Sequence, residues 1–208
     1  ALAVAVYGKG ARGSTAQIAS ANAFHHPKKL PTFTHDPQRA KKLLAEAGQS
    51  NLKFTLVSST VKPQLGQEAT VIQAQLARIG VTVTHQVMEH QAWLANVLRA
   101  KNFEASTVAG TGGPEPNSYV MFWTKDNPVN FVSLNNAELF ELVPKAQGII
   151  KEADRKKAYH RIQELGAQEA SWMALMEVPS NAVMSSKIKG YVHLPYNVSY
   201  FDEVWLAQ

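Results

Sequence analysis

The sequence contains no cysteine, and this absence removes several kinds of chemistry at once. Without a thiol the chain can form no disulfide, offer no thiolate to a metal and supply no cysteine nucleophile. Long apolar runs are also missing, since no stretch approaches the roughly 18 residues that a membrane-spanning helix needs. The first seven residues, ALAVAVY, lack an initiator Met and a helix cap. We therefore expect a fragment of a longer protein.

A dense basic stripe is missing as well, although the net charge is +5. The basic residues form short scattered groups, such as Lys28-Lys29, Lys41-Lys42 and 155–157. A nucleic-acid surface is typically a continuous basic stripe interleaved with aromatic residues. We therefore interpret these groups as a solvated surface and expect no nucleic-acid partner.

The segment THDPQRAKKLLAEAG, residues 34–48, has every signal of a short helix. Asp36 can cap the first turn, and Pro37 fits the first helical position because its missing donor costs nothing there. Ala40, Leu43, Leu44 and Ala47 form an apolar stripe at helical spacing. Gly48 provides the left-handed stop. The pattern predicts a capped helix packed on a larger body.

Strands and helices alternate through the first half of the chain. Period-two patterns predict strands over 52–58, 81–87 and 103–109, and helical patterns predict helices over 68–79 and 90–101. Two more helices are expected over 137–150, which Pro144 should begin or kink, and over 154–169 with Asp154 as cap. Short strands over 172–177, 182–185 and 188–192 should make the sheet mixed. The sequence predicts an α/β fold with a mixed sheet flanked by helices.

No pattern of catalytic or metal-binding residues stands out. The glycine-rich stretch 8–13 lacks the Lys-Ser/Thr pair and the helix of a phosphate-binding loop. His25, His26 and His35 have no carboxylate at ligand spacing. The carboxylates Glu115 and Asp126 lie in loops whose separation the sequence does not fix. We expect no catalytic residues, no metal and no cofactor.

The best candidate for a binding site is the loop Gly110–Asn117, which contains GTGGPEPN. It follows a predicted strand, and ligands of α/β folds gather at the carboxyl ends of strands. Its glycines let a ligand approach the backbone, and we expect their N–H groups to be free donors. A plain connecting loop remains the alternative.

Several segments together resemble family 5 extracellular solute-binding proteins, the dipeptide-, oligopeptide- and nickel-binding components of ABC importers. HDPQRAKKLLAEAG is similar to the family's Y-x-P-x-x-A-K-x-L-L-x-E-A-G segment, and QEATVIQAQLARIGVTV follows in the family's order. NFVSLNNAELFELVPKA, ADRKKAYHRIQELGAQEASWMALME and IKGYVHLPYNVSYFDEVWL resemble its later segments. The match runs from about residue 5 to residue 206, and its strength lies in the number and order of the motifs.

The resemblance implies a periplasmic-binding-protein-like type II fold and a function without chemistry. It assigns 34–195 to the C-terminal ligand-binding lobe, 1–33 to a segment returning from the N-terminal lobe and hinge, and 196–208 to a tail returning toward that lobe. A peptide or peptide-like solute would be captured by hinge closure and delivered to permease subunits. The protein would be periplasmic or extracellular and membrane-associated through the transporter. The alternatives are a non-peptide solute such as an opine, sugar or metal chelate, or a free-standing enzyme or interaction domain built on this lobe.

The resemblance also locates the ligand site. The family's loop after the third strand often reads G-W-x-x-D-Y-x-D/E-P, which places Ala109 at its Trp and Gly112 at the Asp that holds a peptide's α-ammonium group. Leu139-Phe140-Glu141 departs from the family pattern as well. We therefore expect a roomier, less acidic pocket for an uncharged or anionic solute, with glycine N–H groups and Asn117 as donors. The expected ligand-binding residues are Ala109, Gly110, Thr111, Gly112, Gly113, Glu115, Asn117, Trp123 and Asn130.

Overall fold

The computed structural model describes residues 2–27, 30, 35–110, 112–194, 196 and 199–207. Its α-helices are α1 (Leu2–Tyr7), α2 (Pro37–Glu46), α3 (Pro63–Ala77), α4 (His90–Trp93), α5 (Asn117–Val120), α6 (Ala137–Gln147) and α7 (Glu152–Glu169). Its strands are β1 (Arg12–Gly13), β2 (Lys53–Ser59), β3 (Thr82–Met88), β4 (Ala105–Ser106), β5 (Met176–Glu177), β6 (Ile188–Lys189), β7 (Val192–His193), β8 (Ser199–Tyr200) and β9 (Trp205–Leu206). A π-helical segment, Leu94–Arg99, extends α4, and 3-10 turns cover Gly8–Gly10 and Met121–Trp123. In this part of the chain no helix is long and apolar enough to span a bilayer.

A three-stranded parallel sheet forms the centre of the first half, in the order β3-β2-β4. Leu56 in β2 pairs with His85 of β3 on one side and with Ala105 of β4 on the other. Helix α3 connects β2 to β3, so the two strands and the helix make a βαβ unit. Leu56 and Val57 are both buried, on opposite faces of the central strand. This part of the fold confirms the predicted alternation.

Helix α2 confirms the capping prediction, but its apolar stripe is more exposed to solvent than expected. The Asp36 carboxylate accepts a hydrogen bond from the Arg39 backbone N–H at 2.9 Å, and Gly48 has a φ of +68°. No residue of α2 is buried, and Leu43 is 53% exposed. Leu44 packs beside Leu56 and Val81. The helix therefore lies at the edge of the lobe.

The largest core of the described residues lies between α6 and α7. Besides residues of these two helices, it includes Ile18 and residues between 120 and 134. Its buried members are Ile18, Val120, Trp123, Leu134, Leu139, Val143, Ala146, Ala158, Tyr159, Ile162 and Leu165. Pro144 lies inside α6, which neither begins nor ends there. Asp154 is not the cap of α7, because the helix begins at Glu152 and Asp154 lies in its first turn.

The antiparallel pairs form small sheets of their own: β1 with β5, β6 with β9, and β7 with β8. None of them extends the three-stranded sheet among the described residues, so parallel and antiparallel pairing occur in separate sheets. The predicted strand over 103–109 is reduced to β4, followed by a hydrogen bond from the Thr107 N–H to the Val57 carbonyl at 3.0 Å. Residues 182–185 form no strand. The α/β class is confirmed.

Candidate functional site

The candidate loop leaves the carboxyl end of β4 and emerges at the surface. Residues 108–110 are exposed, and a Cβ added to Gly110 would meet no atom within 4 Å. Thr111 lies outside the described residues. Ala109 and Gly110 thus lie where a ligand could reach the backbone at the carboxyl edge of the parallel sheet.

The next part of the loop is closed by its own side chains. The ring of Tyr119 lies so close to Gly112 that an added Cβ would come within 2.0 Å of Tyr119 Cζ. The Gly113 N–H donates to Ser118 Oγ at 3.0 Å, and that hydroxyl donates to the Glu115 carbonyl at 2.7 Å. The expectation of free glycine donors is therefore wrong for Gly113, because an N–H already paired within the loop must break that bond to serve a ligand.

Glu115 is paired with a cation from α7. Its carboxylate forms an ion pair with the Arg155 guanidinium, which also lies 5.2 Å from the centre of the Phe24 ring and 5.5 Å from that of Tyr159. The Arg155 side chain is 20% exposed and that of Glu115 is 54% exposed. The aromatic rings hold the cation in place, so the loop is fastened to α7 and the charge of Glu115 is compensated.

A second fastening comes from Asn22, which sequence reasoning missed. Its Nδ2 donates to the carbonyls of Gly113 and Pro114, at 3.0 Å each, and the side chain is buried. Asn22 lies in a stretch of small polar residues without periodicity, and it is 91 residues from Gly113. No local pattern could have connected the two segments.

A second carboxylate, Glu177, lies near the loop but is fully engaged. It accepts hydrogen bonds from the Ser20 N–H at 2.9 Å, the Ser20 hydroxyl at 2.7 Å and Arg12 Nη2 at 2.7 Å. Burial raises the pKa of Glu177, but the bonds from Ser20 and the charge of Arg12 outweigh it and hold that pKa below its ordinary value.

Burial, with the nearby Tyr196 and Glu177, raises the pKa of Tyr119 to about 12.

Of the last three predicted site residues, Trp123 and Asn130 have structural contacts, whereas the buried Oδ1 of Asn117 has no hydrogen-bond partner among the described residues. Trp123 is 2% exposed and packs against Gly166 of α7. Asn130 is buried, and its side chain bonds the N–H and the carbonyl of Leu134, at 3.0 Å each. Asn117 begins α5 and is half-buried. Ligand contact by any of the predicted residues stays a prediction, and the exposed members Ala109 and Gly110 are its best placed candidates.

Two of the histidines, His26 and His160, lie beside each other at α7. His26 contacts Glu164 at 3.2 Å, and its ring centre is 4.9 Å from that of His160. Burial and the neighbouring His26 lower the pKa of His160. Within the described residues, no three His, Asp or Glu side chains are grouped as metal ligands.

Two shallow depressions on the lobe do not include the candidate loop. One, of about 450 Å³, is lined by Gln73, Ala77, Gly80, Val81, Thr82 and Val83. The other, of about 360 Å³, is lined by Glu138, Glu141, Leu142, Lys145, Lys157, Ala158 and Arg161. Residues 108–110 of the loop are exposed, so a ligand buried there needs a second surface to cover it.

The sequence model of "Bacterial extracellular solute-binding proteins, family 5 Middle" matches residues 1–131. The chain belongs to this family. Heme-binding protein A of Haemophilus influenzae is 28% identical over 225 residues, and di/tripeptide-binding protein 4 of Pseudomonas aeruginosa is 27% identical over 219. The alignments cover 97% and 95% of this chain but 38% of each relative, so the chain spans little more than a third of their length.

A solved structure shows the same fold over almost the whole chain. The dipeptide binding protein from Pseudoalteromonas sp. SM9913, in complex with Met-Leu, superposes with a TM-score of 0.82 at 20% identity. The superposition covers 99% of this chain and 42% of that one. The type II binding-protein fold implied by the family resemblance is thus confirmed, and the family to which the chain belongs is one of solute-binding proteins.

Proposed function

We propose that this chain is one lobe of the substrate-binding component of an ABC importer. It captures a peptide or peptide-like solute outside the cytoplasm, in the periplasm or at the cell surface, and delivers it to permease subunits. Capture by hinge closure needs no catalytic residue. The observation that carries this proposal is family membership over residues 1–131 combined with an open loop at the carboxyl edge of the sheet.

A covering lobe is supported by the exposed apolar side chains of residues 173–206. Phe201 is 66% exposed, Trp205 58% and Leu206 73%. Met173, Leu175, Val178, Val183, Met184, Val192 and Tyr200 are exposed as well. A contiguous exposed apolar patch marks a contact surface, and we propose that these side chains form one. We propose that an N-terminal lobe covers part of it, with residues 1–33 and the tail 196–208 connecting the two lobes around the lobe 34–195.

The charges near the loop favour a solute without a free ammonium group at this lobe. Glu115 is paired with Arg155, and Glu177 is paired with Arg12 and Ser20. A ligand ammonium would have to displace one of these partners, and a charge buried without a partner is strongly unfavourable. A modified peptide, an opine, a sugar or a metal chelate avoids this cost, and the name of the Haemophilus relative makes heme the chelate to test.

Calorimetry on the complete gene product tests the proposal, with Met-Leu, N-acetyl-Met-Leu and hemin as probes. Mass spectrometry of any co-purified solute runs in parallel. We expect N-acetyl-Met-Leu or hemin to bind more tightly than Met-Leu. Tight binding of Met-Leu through its free amine at this lobe would contradict the proposed ligand class, and a parent gene without a signal peptide and N-terminal lobe would favour a free-standing enzyme or interaction domain.

A further inference from the structure

The side chain of Asn22 connects two segments that are far apart in sequence. It is 4% exposed, and its Nδ2 donates to two consecutive carbonyls, those of Gly113 and Pro114, at 3.0 Å each. Its Oδ1 accepts a hydrogen bond from the Phe24 N–H at 2.9 Å. Both ends of the amide are therefore in use, and a flipped amide would direct its oxygen at two carbonyl oxygens. The side chain has one compatible orientation.

The turn that carries Asn22 is itself held from two sides. On one side, Gln163 Nε2 of α7 donates to the Phe24 carbonyl at 3.0 Å. On the other side, Ser20 donates its N–H and its hydroxyl to Glu177. Asn22 cannot move without disturbing one of these contacts, so the turn is a fixed support rather than a loose connection.

The loop has other supports as well, among them the buried Pro116 and the ring of Tyr119 against Gly112. The ion pair from Glu115 to Arg155 fastens its middle, and Ser118 Oγ closes it from within. Glu115 is more than half exposed, so solvent weakens its attraction to Arg155. The two hydrogen bonds from Asn22 are part-buried, since the Asn22 side chain is 4% exposed, and they act on the carbonyls of Gly113 and Pro114. They set the direction in which the backbone of this loop faces.

We propose that Asn22 is the positioning residue that fixes the backbone of Gly112–Ser118 in its ligand-binding shape, an inference that rests on the function proposed above. Asn22 acts through the loop. In the binding reaction it keeps the loop ordered before the solute arrives, so the solute does not have to order it.

The alternative is that Asn22 only stabilises its own turn, where its Oδ1 accepts the hydrogen bond from the Phe24 N–H. The variant Asn22→Asp separates the two roles. An aspartate keeps the acceptor that closes the turn, but it places a second oxygen where Nδ2 now donates, facing the carbonyls of Gly113 and Pro114. A turn-only role predicts that Asn22→Asp behaves as the wild type, whereas a positioning role predicts that it loosens the loop at least as much as Asn22→Ala.

Hydrogen exchange on the complete gene product measures the difference. In Asn22→Asp we expect the amides of Gly113, Ser118 and Tyr119 to exchange at least tenfold faster than in the wild type, while those of α6 keep their rates. The matched control is Asn96→Asp, because Asn96 Nδ2 also donates to a carbonyl, that of Ala92 at 2.9 Å, but lies on the π-helical segment. Loop exchange in Asn22→Asp within twofold of the wild type would overturn the proposal.

Calorimetry with Met-Leu and N-acetyl-Met-Leu then connects the loop to binding. We expect the probe that the wild type binds to bind at least tenfold more weakly to Asn22→Asp and unchanged to Asn96→Asp. An unchanged Kd despite a loosened loop would refute the positioning role in binding. If the wild type binds neither dipeptide, hemin takes their place as the probe. If it binds none of the three, the proposed function loses its support, and the exchange experiment alone decides whether Asn22 positions the loop.

Discussion

At the scale of single residues, the close contact between Gly166 and Trp123 allows a direct test of the core packing. A Cβ built on Gly166 would lie 2.1 Å from Trp123 Cη2, and Trp123 is fully enclosed. Gly166→Ala should therefore force the indole or α7 to shift and destabilise the fold by about 1–3 kcal/mol, as overpacking does. Urea unfolding measures this, with Gly110→Ala as control because its added Cβ meets no atom. Equal stability of the two variants would contradict the packing.

The carboxylate of Glu177 should make the free energy of unfolding depend on pH. Its folded-state pKa lies below the ordinary value, so it stabilises the fold fully above that value. This contribution is lost as the pH falls from about 4.5 through the folded-state pKa. Glu177→Gln should lower the free energy of unfolding by about 1–2 kcal/mol at pH 7. The difference in free energy of unfolding between Glu177→Gln and the wild type should become smaller below pH 4.5. Urea titrations at pH 7 and below pH 4.5 measure it, and the same difference at both would contradict a stabilising role of the Glu177 charge.

At the scale of elements, helix α2 offers the cleanest prediction. The Asp36 cap is worth about 1 kcal/mol, and no residue of α2 is buried. Asp36→Ala should therefore unwind α2 locally and leave the global melting temperature nearly unchanged. Hydrogen exchange of the amides over 39–43 should speed up several-fold, whereas Asp36→Asn, which keeps a capping oxygen, should restore the protection. A fall in global stability without faster exchange in α2 would show that the helix is bound more tightly than its exposure indicates.

The sequence predicted those elements whose signals are local. The cap and stop of α2 and the alternation in β2 and β3 are written in consecutive residues, and each element lies within a few residues of its prediction. The segment after residue 170 was harder, because two-residue strands depend on which distant partner is available. β5 pairs with β1 across most of the chain, and no periodicity reveals that.

The candidate site also has a part that the local sequence predicts and a part that depends on distant residues. Glycines mark the loop at 110–113, but the residues that shape it, Asn22 and Arg155, come from a turn and a helix far away in sequence. Trp123 and Asn130 are among the residues expected at the ligand from the family resemblance, and both are buried, which the sequence alone does not reveal.

At the scale of the whole molecule, the apolar surface over 173–206 predicts a contact with another lobe. In the complete gene product, Phe201→Asp should lower the melting temperature by several degrees, because a charge would be buried in that contact. Ile150→Asp is the matched control, since Ile150 is 98% exposed in the connection between α6 and α7 and lies outside residues 173–206. Differential scanning calorimetry measures both, and a Phe201→Asp protein as stable as Ile150→Asp would show that the surface stays open to water.

The pairing of β1 with β5 also has a consequence for how the chain folds during synthesis. Arg12 and Glu177 are 165 residues apart, so the pair cannot form until nearly the whole sequence has left the ribosome. At about 5–20 residues per second, that wait is on the order of ten seconds or longer. The βαβ unit of β2, α3 and β3 needs only a short stretch and can fold long before. The nascent lobe can therefore have its βαβ unit while the candidate loop still lacks Glu177 and the support that Glu177 gives the Asn22 turn.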